Sequence, residues 1–167
     1  VLYESGNIER AKKTYEKAAR LIKGTENKRD FEIQLGKIGI AYLNDFKDYK
    51  KAISYFSKAV SIAKEIESKQ DQIKWLGKLA EAEEKSKKFE AAVKHYKEAI
   101  KLAIYQKDKE SQALLILGLG TTYLDMNNTK EAMAEFSKAL EVAKESKNEL
   151  TQLKILMALG KVYFDCL

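Results

Sequence analysis

Residues 131–145 read EAMAEFSKALEVAKE, and the chain has written nearly the same segment three times before: AAVKHYKEAIKLAIY at 91–105, KAISYFSKAVSIAKE at 51–65 and RAKKTYEKAARLIKG at 10–24. In the last copy Ala132, Phe136, Ala139 and Ala143 fall at i, i+4, i+7 and i+11, one stripe down a helix. The stripe recurs as Ala92, Tyr96, Ala99 and Ala103, as Ala52, Phe56, Ala59 and Ala63, and as Ala11, Tyr15, Ala18 and Ile22. Small residues let two helices approach closely, and the ring between them fills the gap to a neighbour. A larger side chain at Ala52 or Ala92 is expected to overpack, at about 1–3 kcal/mol.

A second segment alternates with the first. QLGKIGIAYL at 34–43, LLILGLGTTYL at 114–124 and ILMALGKVYF at 155–164 share Leu or Ile, then Gly, then Tyr or its equivalent. The third copy, KWLGKLAEAEE, puts Ala80 at the Gly position and Glu83 at the Tyr position. Turn signals separate the segments: Asn7, Asp48 and Asn128 precede stripe helices and are placed to cap them, and Asn128 with Glu131 makes a capping-box pattern. The unit is therefore helix, short turn, helix, about forty residues long, with one extra residue near Phe46. One such pair cannot bury both apolar faces, whereas stacked copies can, and a small rotation between copies makes a superhelix with a concave side.

Composition agrees with this architecture. The chain has 167 residues, no proline, eight glycines, 34% charged and 45% hydrophobic residues, a helix-rich mix that excludes a disordered, collagenous or disulfide-framework chain. No apolar run reaches the ~20 residues of a membrane span, and VLYESGNIERAKK lacks the pattern of a secretory signal. The single cysteine, Cys166, fits a reducing compartment, so a cytoplasmic location is expected. The net charge of +6 rests on lysine, with arginine only at 10, 20 and 29. Scattered lysines among glutamates lack the planar fork favoured for phosphate and base recognition. In EAEEKSKK, Glu81, Glu83 and Glu84 each have a lysine four residues on, so this stretch reads as a solvated, ion-paired face.

The spaced residues resemble the tetratricopeptide repeat: a large residue, Leu-Gly and Tyr on the first helix, then Ala, an aromatic and Ala on the second. Ile116, Leu119, Gly120, Tyr123, Ala132, Phe136 and Ala139 carry the pattern in full; Leu35, Ile38, Gly39, Tyr42, Ala52, Phe56 and Ala59 repeat it; Leu156, Leu159, Gly160 and Tyr163 begin it again. The common unit is 34 residues; these are six or seven longer, as in the family's long-repeat branch. The resemblance implies an all-α, right-handed superhelical solenoid of antiparallel helix pairs. One domain spans 1–167: a partial repeat at 1–27, repeats at about 28–68, 69–108 and 109–148, and a partial repeat at 149–167. VLYES reads as the last turn of an earlier helix, and FDCL stops inside a first helix. Phe164 and Leu167 would then lack a covering neighbour, which fits a segment of a longer array.

The chemistry-bearing motifs are few. His95 is the only histidine, the sequence holds no HExxH, P-loop or CxxC, and LGLG at 117–120 lies inside a helical pattern where its glycines serve packing. The expectation is a non-catalytic chain with no cofactor or metal, in which Glu83 and Glu84 are surface charge and His95 and Cys166 have no catalytic part. By resemblance, the first helices line a concave groove offering Ile33, Lys37, Ile40 and Asn44; Lys74, Lys78, Glu81 and Lys85; Leu114, Leu117, Thr121 and Leu124; and Lys154, Met157, Lys161 and Phe164. Apolar in one copy and lysine-bearing on either side, such a groove suits an amphipathic helix or extended peptide with apolar anchors flanked by acidic residues. The alternative reading is that these leucines only pack between repeats. Ile40, Glu81 and Thr121 stand where the clamp that holds chaperone tails in some members needs Asn, so that ligand class is not expected. The leading function is a protein-interaction scaffold, expected to lose its ligand on Leu117→Glu or Lys78→Glu. Its alternatives are a regulatory or sensor segment of a larger signalling or transcription protein, and a basic binder of nucleic acid or anionic surfaces. Self-association through open ends is a further possibility for the partner.

Overall fold

The computed structural model describes residues 2–21 and 27–165, with side chains over 6–21 and 27–164. Eight helices and their turns make up these residues: α1 (Leu2–Leu21), α2 (Lys28–Asn44), α3 (Tyr49–Glu65), α4 (Lys69–Lys85), α5 (Phe89–Tyr105), α6 (Lys109–Asp125), α7 (Thr129–Glu145) and α8 (Glu149–Asp165). Each helix from α2 to α8 is 17 residues long. Consecutive helices pack on each other, and the backbones of α2 and α4, α4 and α6, and α6 and α8 also come close, whereas those of α3 and α5, and of α5 and α7, stay further apart, α3 and α5 being linked by the long Lys64–Glu98 ion pair at 2.7 Å. The array therefore bends with its even-numbered helices on the inside. Ile22, Cys166 and Leu167 lie outside the described residues.

The uniform spacing comes from a three-residue connector used five times. Its middle residue is left-handed and never glycine: Glu67 (φ 56°), Lys87 (60°), Lys107 (56°), Asn127 (61°) and Lys147 (55°). A left-handed non-glycine residue costs roughly 1–2 kcal/mol, offset here by closing the preceding helix. The Glu67 N–H donates to the Lys64 carbonyl at 3.1 Å and the Ser68 N–H to that of Ala63 at 3.0 Å, the paired bonds of a Schellman end. The residue after the left-handed one also opens the next helix. Asp108 accepts from the Ser111 N–H, and Asn148 from that of Thr151, each at 3.0 Å. The expected extra residue near Phe46 is present: the turn from Asp45 to Asp48 has its left-handed residue at Lys47, and Asp48 accepts from the Lys51 N–H at 3.1 Å.

Two capping expectations need correction. Asn7 caps nothing, because α1 runs unbroken through Gly6 and Asn7, and VLYES does not end a separate helix. A glycine costs a helix only about 1 kcal/mol, and no atom lies within 4 Å of where a Cβ would stand at Gly6 to force a turn. Asn128 does stand at the start of α7, but its side chain makes no capping bond.

The stripe alanines of α3, α5 and α7 are completely buried. Beside them, Phe56 lies over Gly39 and Phe136 over Gly120, so closely that a Cβ on either glycine would stand 2.7 or 2.5 Å from the ring. Tyr96 holds the same stripe position on α5, and the hydroxyl end of its ring leans onto Gly118 of the next unit, where a Cβ would be 2.6 Å away. Both glycines of the LGLG segment, Gly118 and Gly120, thus serve close helix approach, as expected. Between units, Trp75 of α4 presses on Gly36 of α2 and stacks on Phe56 with centroids 6.2 Å apart.

The acidic run behaves differently from its expected solvated face. None of the three pairs at i, i+4 forms: Glu81 pairs with Lys78 at 2.8 Å, Glu83 with His95 Nδ1 at 2.7 Å, and Glu84 with Lys85 at 3.1 Å while accepting from Thr122 at 3.0 Å. Glu83 and Glu84 are buried, at 6% and 4% exposure. Their positions explain why. One unit earlier Tyr42 stacks on Tyr55, 5.5 Å apart and 11° from parallel; Glu83 and His95 occupy those two positions and replace the ring stack with a charge-assisted pair. The altered third copy is thus altered at both partners.

Glu32 is the other buried acid. It accepts the Trp75 indole N–H, is fully enclosed, and leaves its Oε2 without a partner. Burial raises its pKa, with the indole bond opposing. A carboxyl whose folded pKa is raised favours the fold below its unfolded pKa and loses that contribution as pH rises through the folded value. Glu32→Gln keeps an acceptor for Trp75 and removes the buried charge. It is expected to stabilise the protein at pH 7 by about 1 kcal/mol, with the gain vanishing below pH ~4, measured by urea unfolding at both pH values.

Candidate functional site

The inner face carries a cleft of about 240 Å³ between α4 and α6. Ile73, Lys74, Gly77, Lys78 and Glu81 line one side, Ser111, Leu114 and Leu115 the other, and Tyr96 of α5 contributes from behind. The cleft exists here because of two side-chain sizes. One junction earlier, Trp75 fills the space over Gly36; the residue in Trp75's register is Leu115, which reaches Gly77 with one methyl (2.8 Å from a Cβ there) but is too small to close the gap.

The lining combines an apolar floor with mobile charge. Leu114 is 37% exposed. Lys78 is held by Glu81 at 2.8 Å, both side chains more than a third exposed, an arrangement a ligand carboxylate can exchange into at small cost. Lys74 also lines the cleft, and its ammonium stands 4.3 Å from the Trp75 ring centroid, a cation–π contact at the cleft's edge. Tyr96 is kept neutral: burial pushes its phenol up, and Glu84, Glu81 and Glu83 act in the same direction. Such a site can take an apolar side chain with a carboxylate beside it. It has no nucleophile paired with a base, and among the described residues no three His, Cys, Asp or Glu side chains converge to hold a metal ion.

Of the expected groove residues, the structure thus brings Lys74, Lys78, Glu81 and Leu114 around one cleft. Lys85 is drawn to Glu84. Leu117 and Leu124 are half-buried against the core, and the Thr121 hydroxyl donates to the Leu117 carbonyl at 3.0 Å. On α2, Lys37 and Asn44 are exposed while Ile33 and Ile40 are half-buried, Ile40 against the core. Lys154, Met157, Lys161 and Phe164 are exposed on α8. Sequence reasoning missed Ile73, Gly77, Tyr96, Ser111 and Leu115. The available signal was Gly77 in KWLGK, a residue without a side chain facing a leucine rather than a tryptophan.

Comparison with known proteins bears on the family and the fold. A tetratricopeptide repeat family model matches residues 31–104 and, overlapping, 71–145, and a second model with that description matches residues 1–24. The chain belongs to the tetratricopeptide repeat family. No curated protein matches it significantly in sequence. Among solved structures it is similar to the apo form of RapI (TM-score 0.81, 18% identity, over 98% of this chain and 59% of RapI). It is also similar to a signal-transduction ATPase with a tetratricopeptide repeat sensor from Pyrococcus horikoshii (0.75, 22%, 98% and 26%). A third is a Rap protein complexed with competence and sporulation factor (0.77, 18%, 96% and 45%). At these identities the likeness is one of fold, and the chain spans about a quarter to three fifths of those proteins. As a repeat solenoid it is an interaction scaffold, and no helix among the described residues is long and apolar enough to cross a membrane.

Proposed function

We propose that this chain is a non-catalytic scaffold that takes a peptide or helix of a partner protein into its inner groove, anchored at the cleft between α4 and α6. The observation that carries this reading is the cleft itself: an apolar notch over Gly77, open beside Leu114 and flanked by Lys74 and Lys78. The ligand would place an apolar side chain in the notch and acidic residues beside the two lysines, whose positive charge also speeds encounter. A sensor role in the P. horikoshii ATPase and a bound factor in the Rap complex support the reading by analogy of fold.

A displayed-peptide selection on the immobilised chain tests the ligand class. Enriched sequences are expected to pair an aromatic or branched apolar residue with Asp or Glu. The double variant Lys74→Glu, Lys78→Glu should bind them at least about tenfold more weakly, a change of 1.4 kcal/mol. Enrichment of basic peptides, or binding that the double variant leaves unchanged, would contradict the proposal.

A further inference from the structure

One polar group at the cleft departs from the repeat that contains it. Phe56 and Phe136 hold the ring position of the stripe in α3 and α7, each against a glycine of its own unit, Gly39 or Gly120. In the unit between them Ala80 takes the glycine position, the ring is Tyr96, and its hydroxyl end lies against Gly118 of α6 instead. Tyr96 is only 5% exposed and lines the cleft. Its hydroxyl has no hydrogen-bond partner among the described residues. The acids around it are already engaged: Glu81 by Lys78, Glu83 by His95, and Glu84 by Lys85 and Thr122. A protonated phenol is a donor, and a buried donor without an acceptor carries a desolvation cost that an incoming oxygen removes.

We infer that the Tyr96 hydroxyl is the cleft's hydrogen-bond donor to its ligand, and that it takes a main-chain carbonyl oxygen of an extended partner segment. This rests on the peptide-binding reading above and decides between its two ligand forms, peptide and helix. The carboxylates of Glu84, Glu81 and Glu83 all act on the phenol, so a further anion beside it is disfavoured. The acceptor is therefore a neutral oxygen, and acidic side chains of the partner stay at the rim with Lys74 and Lys78. In a helix each carbonyl is taken by the N–H four residues on, whereas an extended segment leaves its carbonyls free. The apolar residue beside the bonded carbonyl fills the notch over Gly77.

Anisotropy titrations of the whole 167-residue chain test this. The probe is the most enriched peptide of the displayed selection, carrying a fluorophore, together with copies in which each main-chain carbonyl in turn becomes a thioamide, a weaker acceptor. Tyr96→Phe removes one oxygen and keeps the ring that Phe56 and Phe136 supply in the neighbouring units. Its urea unfolding midpoint is expected to stay or rise, while affinity falls about three- to tenfold. One thioamide position should weaken binding to wild type by a similar factor and leave binding to Tyr96→Phe unchanged. The double variant Lys74→Glu, Lys78→Glu separates the two levels of the proposal. Binding that it leaves intact, or a selection that yields no peptide, contradicts the groove reading and this inference with it. Binding that it weakens but Tyr96→Phe does not overturns the inference alone. So does a loss with Tyr96→Phe that no thioamide reproduces, the mark of a side-chain acceptor. A lowered unfolding midpoint, the mark of a hydroxyl bonded within the fold, overturns it as well.

Discussion

Trp75→Ala is expected to lower stability by about 3–5 kcal/mol, a large part of what holds a domain of this size together. Trp75 belongs to α4, yet its ring touches two helices of the preceding unit: it covers Gly36 of α2 and stacks on Phe56 of α3. It is completely buried. Removing it opens a cavity at the junction and deprives Glu32 of its one hydrogen-bond donor in an enclosed site. That second loss adds the penalty of an unpaired buried carboxylate to the lost packing. Trp75→Phe separates the two, because it retains most of the ring surface while removing the indole N–H. Trp75 is the only tryptophan, so unfolding of all variants is followed by far-ultraviolet circular dichroism in urea. A loss below about 1 kcal/mol for the alanine variant would mean that the junction does not depend on this ring.

Leucine at Gly120 and leucine at Gly160 should have opposite outcomes, although the two glycines hold the same place in successive units. At Gly120 even a Cβ would stand 2.5 Å from the Phe136 ring, which is itself buried against α6. Gly120→Leu therefore has to displace an aromatic anchor and is expected to cost about 3 kcal/mol, the upper end of overpacking. At Gly160 the space is open, and replacing a helical glycine should be neutral or stabilising, by up to about 1 kcal/mol. Thermal unfolding of the two variants beside wild type, at a concentration where the protein is monomeric, measures the contrast. Equal destabilisation by both would show that glycine serves the helix backbone and not the seating of a neighbour's ring.

The repeated stripe made the architecture legible, because a small–aromatic–small pattern at constant spacing has one economical use. The Gly positions and the extra residue near Phe46 were legible for the same reason. What escaped depended on partners distant in sequence. Glu83 and Glu84 sit in a lysine-rich run that resembles a solvated helix, but Glu83 is paired with His95 twelve residues on and Glu84 with Thr122, 38 residues on. No local pattern announces either bond. The turns were hidden because lysine, glutamate and asparagine, not glycine, take their left-handed positions. The cleft was half-visible: Lys74, Lys78, Glu81 and Leu114 follow from helix register, whereas its depth depends on Leu115 being smaller than the Trp75 that fills the preceding junction. Leu117, expected to be the groove's probe, is instead half-buried against the core, so Leu114 is the cleaner position to perturb.

The most direct measurement is therefore affinity capture from the native lysate by three forms of the chain: wild type, Leu114→Glu on the inner face, and Lys101→Glu on α5, exposed and away from the cleft. Partner proteins recovered by wild type and by Lys101→Glu, but lost with Leu114→Glu, are the predicted result. Partners retained equally by Leu114→Glu, or lost instead with Lys101→Glu, would contradict binding in the inner groove.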